Sequence, residues 1–200
     1  MAKIKLTKTE LKTQKDALAR FKRFLPMLQL KKQQLQTEIA HIAAEFEGLE
    51  TQRAGAVASL NAWAGLFAEP GVSLDGLCTL LEIRVEPGNI AGVNIPVFKS
   101  AAIDQPPQDP WFTPAWFDDA QTQIARILAL RAEMSVLETQ RRLVAEELLT
   151  TSQRVNLFEK IKIPECRENI RVITIALGDE QTAAVVRGKI AKDRHAGEAV

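Results

Sequence analysis

The stretch LQTEIAHIAAEFEGL, residues 35–49, decides how this chain folds. Within it Leu35, Ile39, Ile42, Phe46 and Leu49 recur at alternating steps of four and three, which puts them on one narrow stripe of an α-helix. A stripe with a mean repeat of roughly 3.5 residues suits the seam of a coiled coil better than the broad face of a globular helix.

The same phase extends in both directions. Leu11, Leu18, Phe21, Leu25 and Leu28 hold it upstream, and Ala56, Leu60, Trp63 and Phe67 downstream. Gln14, Lys32 and Arg53 fall in the frame as polar seam residues, which cost stability and fix register. Thr7 and Glu10 have capping-box spacing and predict the helix start. Pro70-Gly71 predicts its stop, since proline cannot continue the ladder and glycine favours the exit conformation. A helix over 7–69 is about 90 Å long at roughly 1.5 Å per residue. Pro26 lies inside it and predicts a kink near Phe21–Lys22, with two separate helices as the alternative.

A second long helix is expected from 117, with Thr113 as N-cap, Pro114 at the first helical position and Phe112 stapled onto Phe117. Its stripe is Phe117, Ala120, Ile124, Ile127, Met134, Leu137, Val144, Leu148, Val155 and Phe158, with a phase slip near Met134 and interruptions at Arg131 and Arg141. A further kink is expected near Pro164. Residues 169–177 are rich in β-branched side chains and read as strand or helix, although Ile170, Ile173 and Leu177 keep helical spacing. Gly178 and Gly188 weaken the helix beyond.

Between the helices, residues 70–116 carry most of the prolines. Leu81, Ile83 and Val85 alternate with polar residues, Pro87-Gly88-Asn89 reads as a turn, and Ile90, Val93, Ile95 and Val97 form a second β-rich run. The expected fold is therefore mainly α: a long antiparallel two-helix coiled coil of the N- and C-terminal helices with a small irregular tip containing a short β-hairpin. Its parts are 1–69, 70–116 and 117–200, and the tip is expected at the far end of the rod from the paired termini.

Composition narrows the function. A hydrophobic content of 46% supplies a substantial buried surface, and a net charge of +1 argues against a nucleic-acid partner. Basic residues do outnumber Glu10 and Asp16 between Lys3 and Lys32, a pattern ordinary for a solvated helix face. Two distant cysteines, Cys78 and Cys166, indicate neither a disulfide framework nor a zinc site. Charges interrupt every apolar run before a bilayer-spanning length, so no direct membrane insertion is expected.

Chemistry-bearing patterns are absent from the sequence. His41 and His195 stand without a cluster of ligands, and neither common phosphate-binding glycine motif occurs, so no catalytic residue, cofactor or metal is assigned. Glu45, Glu47, Glu50, Glu146 and Glu147 read as exposed helical positions. Trp111, Phe112, Trp116 and Phe117 read as packing of the tip rather than as a base-stacking platform.

Three groups of residues resemble one family. Leu6-Thr7-Lys8 followed by Leu11, Lys15, Leu18 and Lys31-Lys32, then Asn89 through Pro96 (NIAGVNIP), then Thr139-Gln140-Arg141-Arg142 with Arg154-Val155-Asn156 and Ile163-Pro164, are similar to the D subunit of the central stalk in V-type and A-type ATPases. The resemblance implies a non-catalytic rotor shaft that couples ATP hydrolysis or synthesis in the head to proton or sodium transport. Its implied partners are the catalytic and regulatory subunits of the head, the F subunit of the stalk and a socket subunit above the membrane ring. The implied location is peripheral, on the cytoplasmic face. Lys8, Lys12, Arg187 and Lys189 near the termini, and Ile90, Val93 and Ile95 in the tip motif, are the interface residues expected on this view. A stand-alone coiled-coil scaffold or tether is the rival reading; it accounts for the heptads and leaves the tip motif without a reason.

Overall fold

The computed structural model describes residues 4–62, 65, 76–107, 111 and 113–198. Helix α1 spans Lys8–Asn61, strands β1 and β2 span Thr79–Ile90 and Val93–Asp104, helix α2 spans Phe117–Asn156, a π-helix spans Leu157–Lys162, and helix α3 spans Ile163–Glu198. The segment 169–177 is thus helical, in keeping with the spacing of Ile170, Ile173 and Leu177 and against its β-branched composition. Two compact units form, one from Met1–Lys31 with Thr150–Val200 and one from Lys32–Leu149.

Helix α1 begins where the capping box places it. The Thr7 hydroxyl accepts a hydrogen bond from the Glu10 N–H at 3.3 Å, satisfying one of the orphan donors of the first turn. Every apolar stripe position from Leu11 to Leu60 is buried or half-buried. The helix passes through Pro26 as one element. It ends at Asn61, short of the expected 69, and Gly65 already lies in a turn; Asn61 and Gly65 both favour leaving the helix over extending it. Trp63, Phe67 and Pro70-Gly71 fall outside the described residues.

Helix α2 runs from Phe117, the expected first residue, and a turn precedes it. The Pro114 carbonyl accepts from the Phe117 N–H at 3.0 Å and the Trp116 carbonyl from the Ala120 N–H at 3.0 Å. Pro114 thus opens a turn that feeds the helix, ahead of its first residue Phe117. Phe112 lies outside the described residues, while Phe117 is buried with its ring 5.6 Å from that of Trp116.

The two strands form one antiparallel ribbon whose turn is Ala91-Gly92, with Ile90 paired to Val93. This corrects the expected turn at Pro87-Gly88-Asn89, which lies inside β1. Both turn residues have positive φ, 50° at Ala91 and 84° at Gly92, as a two-residue hairpin turn of right-handed twist requires. Asn89 supports the turn from outside, its Oδ1 accepting from the Gly92 N–H at 3.0 Å and its Nδ2 donating to Asn94 Oδ1 at 2.9 Å. Pro87 is tolerated because it faces Pro96. Counted back from the turn, that pair occupies a non-hydrogen-bonded site, where backbone N–H groups point away from the partner strand. Gly88 is required by space: an added Cβ would stand 2.6 Å from Val97 Cγ2.

In the unit Lys32–Leu149 the core joins Leu35 and Ile42 of α1, Leu137 and Val144 of α2, and Ile95 of β2. Leu35 and Val144 are fully buried. In the unit of the terminal segments, Phe21 of α1 meets Phe158 with ring centroids 5.0 Å apart, and Asn169 of α3 donates to Gln14 of α1 at 3.4 Å. Earlier residues of α1 therefore meet later residues of the C-terminal run, the antiparallel order of a two-helix coiled coil.

Leu35→Ala is expected to destabilise the chain by about 2–5 kcal/mol, as for other fully buried leucines. Met27→Ala, on the 62% exposed Met27, is expected to stay within about 0.5 kcal/mol. Urea unfolding followed by circular dichroism measures both.

Candidate functional site

The hairpin does not stand clear of the helices, as a distal tip would; its turn end packs into their seam. Ile95 is buried among Leu35, Ile42, Leu137 and Val144, and Ile90, Ala91 and Val93 pack around this cluster. An isolated two-stranded ribbon is marginal in water, so the helix pair supplies the apolar surface that holds it.

Two buried glutamines of α2 fasten the ribbon at both ends. Gln121 Nε2 donates to the carbonyls of Leu77 and Pro106, each at 3.0 Å, which brackets the base of the hairpin just before β1 and just after β2. The Gln121 carbonyl accepts from the Cys78 thiol at 3.3 Å. Gln140 Nε2 donates to the Pro96 carbonyl at 2.6 Å, near the turn. The 19 residues from Gln121 to Gln140 cover about 28 Å of helix, and the ten from Pro96 to Pro106 cover roughly 33 Å of strand. The lengths match, so the ribbon lies along α2.

The residues expected at interfaces fall into two groups. Ile95 is 5% exposed and Ile90 and Val93 are half-buried against the core, so these three side chains take part in the chain's own packing, and Ile90 and Val93 keep some exposed surface. The exposed apolar residues of the ribbon are instead Leu81, Val85 and Val97, beside the Glu86–Lys99 ion pair. Lys8 and Lys12 on the first turns of α1 and Arg187 and Lys189 on α3 are all exposed, in the unit formed by the terminal segments. From 178 to 192 every residue of α3 is exposed.

Groups with catalytic potential are scattered. His41 is exposed on α1, 3.7 Å from Glu45 one turn away. Among the described residues no three His, Cys, Asp or Glu side chains are placed to hold a metal ion. The thiols of Cys78 and Cys166 are both pushed up by burial, and Glu165 beside Cys166 adds to its shift. Trp111 is 92% exposed, apart in character from the buried Phe117. Among the described residues no helix is long and apolar enough to cross a membrane.

Sequence reasoning missed the two glutamines. Gln140 stood within the Thr139–Arg142 motif and Pro96 closed the Asn89–Pro96 motif, yet nothing in either indicated that a hydrogen bond joins them. The only local signal was an uncharged amide beside an apolar stripe.

A ribbon docked by buried amides onto an antiparallel helical pair defines a coiled-coil structural protein. The sequence profile of the ATP synthase D subunit matches residues 10–193. A V-type ATP synthase D subunit from Borreliella burgdorferi is 45% identical over 96% of this chain and 95% of its own length. Those from Chlamydia felis and Chlamydia caviae are 34% and 32% identical, each over 96% of this chain and 94% of their own length. The chain belongs to the D-subunit family of ATP synthases, and is a structural component of the stalk, not a catalytic one.

Gln140→Ala leaves the Pro96 carbonyl without its donor and is expected to cost about 1–3 kcal/mol in urea unfolding. For Cys166, alkylation by iodoacetamide is expected to rise only at a pH above that of an unhindered thiol, because the raised pKa lowers the thiolate fraction. Unfolding in urea is expected to bring the profile back to the ordinary position.

Proposed function

We propose that the chain is the central rotor shaft of a V/A-type ATPase, coupling ATP hydrolysis or synthesis in the head to proton or sodium transport. The observation that carries this reading is the near end-to-end match to proteins named as the D subunit of V-type ATP synthase. A rotor must resist twist and bear load along its length, and continuous helices with a buried seam provide that stiffness. ATP is bound and hydrolysed by other chains of the complex.

On this reading the unit of the terminal segments enters the ring of catalytic and regulatory head subunits. Its exposed Lys8, Lys12, Arg187 and Lys189 face acidic surfaces there, and the exposed stretch 178–192 of α3 becomes covered. The F subunit of the stalk and the socket above the membrane ring engage the remainder of the shaft, at the cytoplasmic face, with no segment of this chain inserted into the bilayer. Ile90 and Val93, half-buried at the ribbon's turn, contribute to that second interface through the surface they leave exposed, and Ile95 contributes by holding the turn in place.

Purification of the tagged chain from its native cells in mild detergent tests the assignment. Large nucleotide-binding subunits and a membrane ring are expected to co-purify, with ATPase activity lost when residues 165–200 are deleted. Recovery of the chain alone, or only with itself, would replace the rotor by the scaffold. Joint replacement of Lys8, Lys12, Arg187 and Lys189 by alanine is expected to lower turnover several-fold while shifting the isolated chain's stability by no more than about 1–2 kcal/mol, since exposed sites change little singly.

A further inference from the structure

The buried stripe of the C-terminal run takes steps of four and three at Thr151, Val155 and Phe158, and of three and four at Ile163, Cys166, Ile170, Ile173 and Leu177. Between Phe158 and Ile163 the step is five. In an uninterrupted α-helix the stripe position after Phe158 would be Lys162, and one surplus residue would rotate everything beyond it by about 100°. Ile163, Cys166 and Ile173 would then leave the seam. They do not: they are 7%, 5% and 0% exposed. On one side of the gap Phe158 faces Phe21 of α1, and on the other Asn169 reaches Gln14 of the same helix.

The π-helix Leu157–Lys162 occupies this gap. Its wide turn closes with the Ile163 N–H donating to the Phe158 carbonyl, five residues back where an α-helix reaches four. We propose that the π-helix is a one-residue register insert: it absorbs the surplus residue so that α3 keeps its apolar stripe on α1, and it is the most easily opened turn of the packed run 151–177. Wide π turns are rare and interrupt the regular ladder, which makes this the point where the packed part of the C-terminal run, 151–177, yields first.

Pro164 offers a competing cause. It has no N–H to give to the Lys160 carbonyl, and in an α-helix its ring collides with that carbonyl. The two explanations separate experimentally. If the turn is a register insert, it persists in Pro164→Ala, because the five-residue step remains. If it only relieves the proline, Pro164→Ala turns it into plain α-helix.

The full-length chain is compared by amide hydrogen exchange and thermal melting as wild type, as Pro164→Ala, and as Pro164→Ala with Lys160 deleted. The exposed Lys160 is chosen because its loss reduces the Phe158-to-Ile163 step to four. Amides of 158–163 are expected to exchange about tenfold faster than those of 151–156 in wild type and in Pro164→Ala. Deleting Lys160 in the Pro164→Ala background is expected to abolish the difference and leave the melting temperature equal or higher. Deleting Glu168 in the same background, which breaks the step pattern between Cys166 and Ile170, is expected to lower it by about 5 °C or more. The proposal is overturned if wild type lacks the fast segment, if Pro164→Ala alone erases it, or if the Lys160 deletion melts as low as the Glu168 deletion.

Discussion

Everything in this chain depends on the burial of two narrow apolar stripes against each other. Neither α1 nor α2 can hide its stripe alone, and each large side chain so removed from water contributes roughly 1.5–3 kcal/mol. Leu35 and Ile42 meet Leu137 and Val144, and at that level Ile95 of the ribbon closes the third side of the core. A two-helix seam is otherwise open along its edges. The ribbon gains an apolar bed, and the helix pair gains a more complete core where it docks.

Apolar contact of this kind is permissive about register, because one turn of leucines resembles the next. The polar residues within the seam are more exacting. Gln121 must find the Leu77 and Pro106 carbonyls, Gln140 the Pro96 carbonyl, and Asn169 the Gln14 amide. Sliding either element by a turn would strand a buried amide, at a cost comparable with the loss of a hydrogen bond to a buried carbonyl. Polar seam residues thus spend some stability to specify one alignment.

Much of the fold was legible in local pattern, because the heptad stripe and the Thr7 cap act within a few residues. The existence of the hairpin was legible for the same reason. Its turn was misplaced because Pro87-Gly88-Asn89 carries strong turn chemistry, and each of those residues has another use: Pro87 opposite Pro96, Gly88 under Val97, Asn89 bonding the true turn from the flank. The position of the ribbon along the helices was not legible, since it rests on contacts between residues 44 apart, Pro96 with Gln140 and Leu77 with Gln121. Resemblance to a family identified the two motifs and said nothing of the bond between them.

The stretch 178–192 of α3 poses a different problem, because it is helical while all its residues are exposed. Gly178 and Gly188 each cost a helix about 1 kcal/mol relative to alanine, and an added Cβ at either would meet no atom within 4 Å. The chain's own packing therefore does not require these glycines. Nor does it require Val185, Val186 and Ile190, which remain 60%, 49% and 49% exposed. A helix of this length in isolation is marginal, and within this chain it continues from the packed turn at Ile173, with its apolar residues left for a surface that the proposed rotor would supply. In the proposed rotor that surface is the inner wall of the head, where glycines allow close approach of a neighbouring backbone. Order in this end of α3 then belongs to the assembly as much as to the chain.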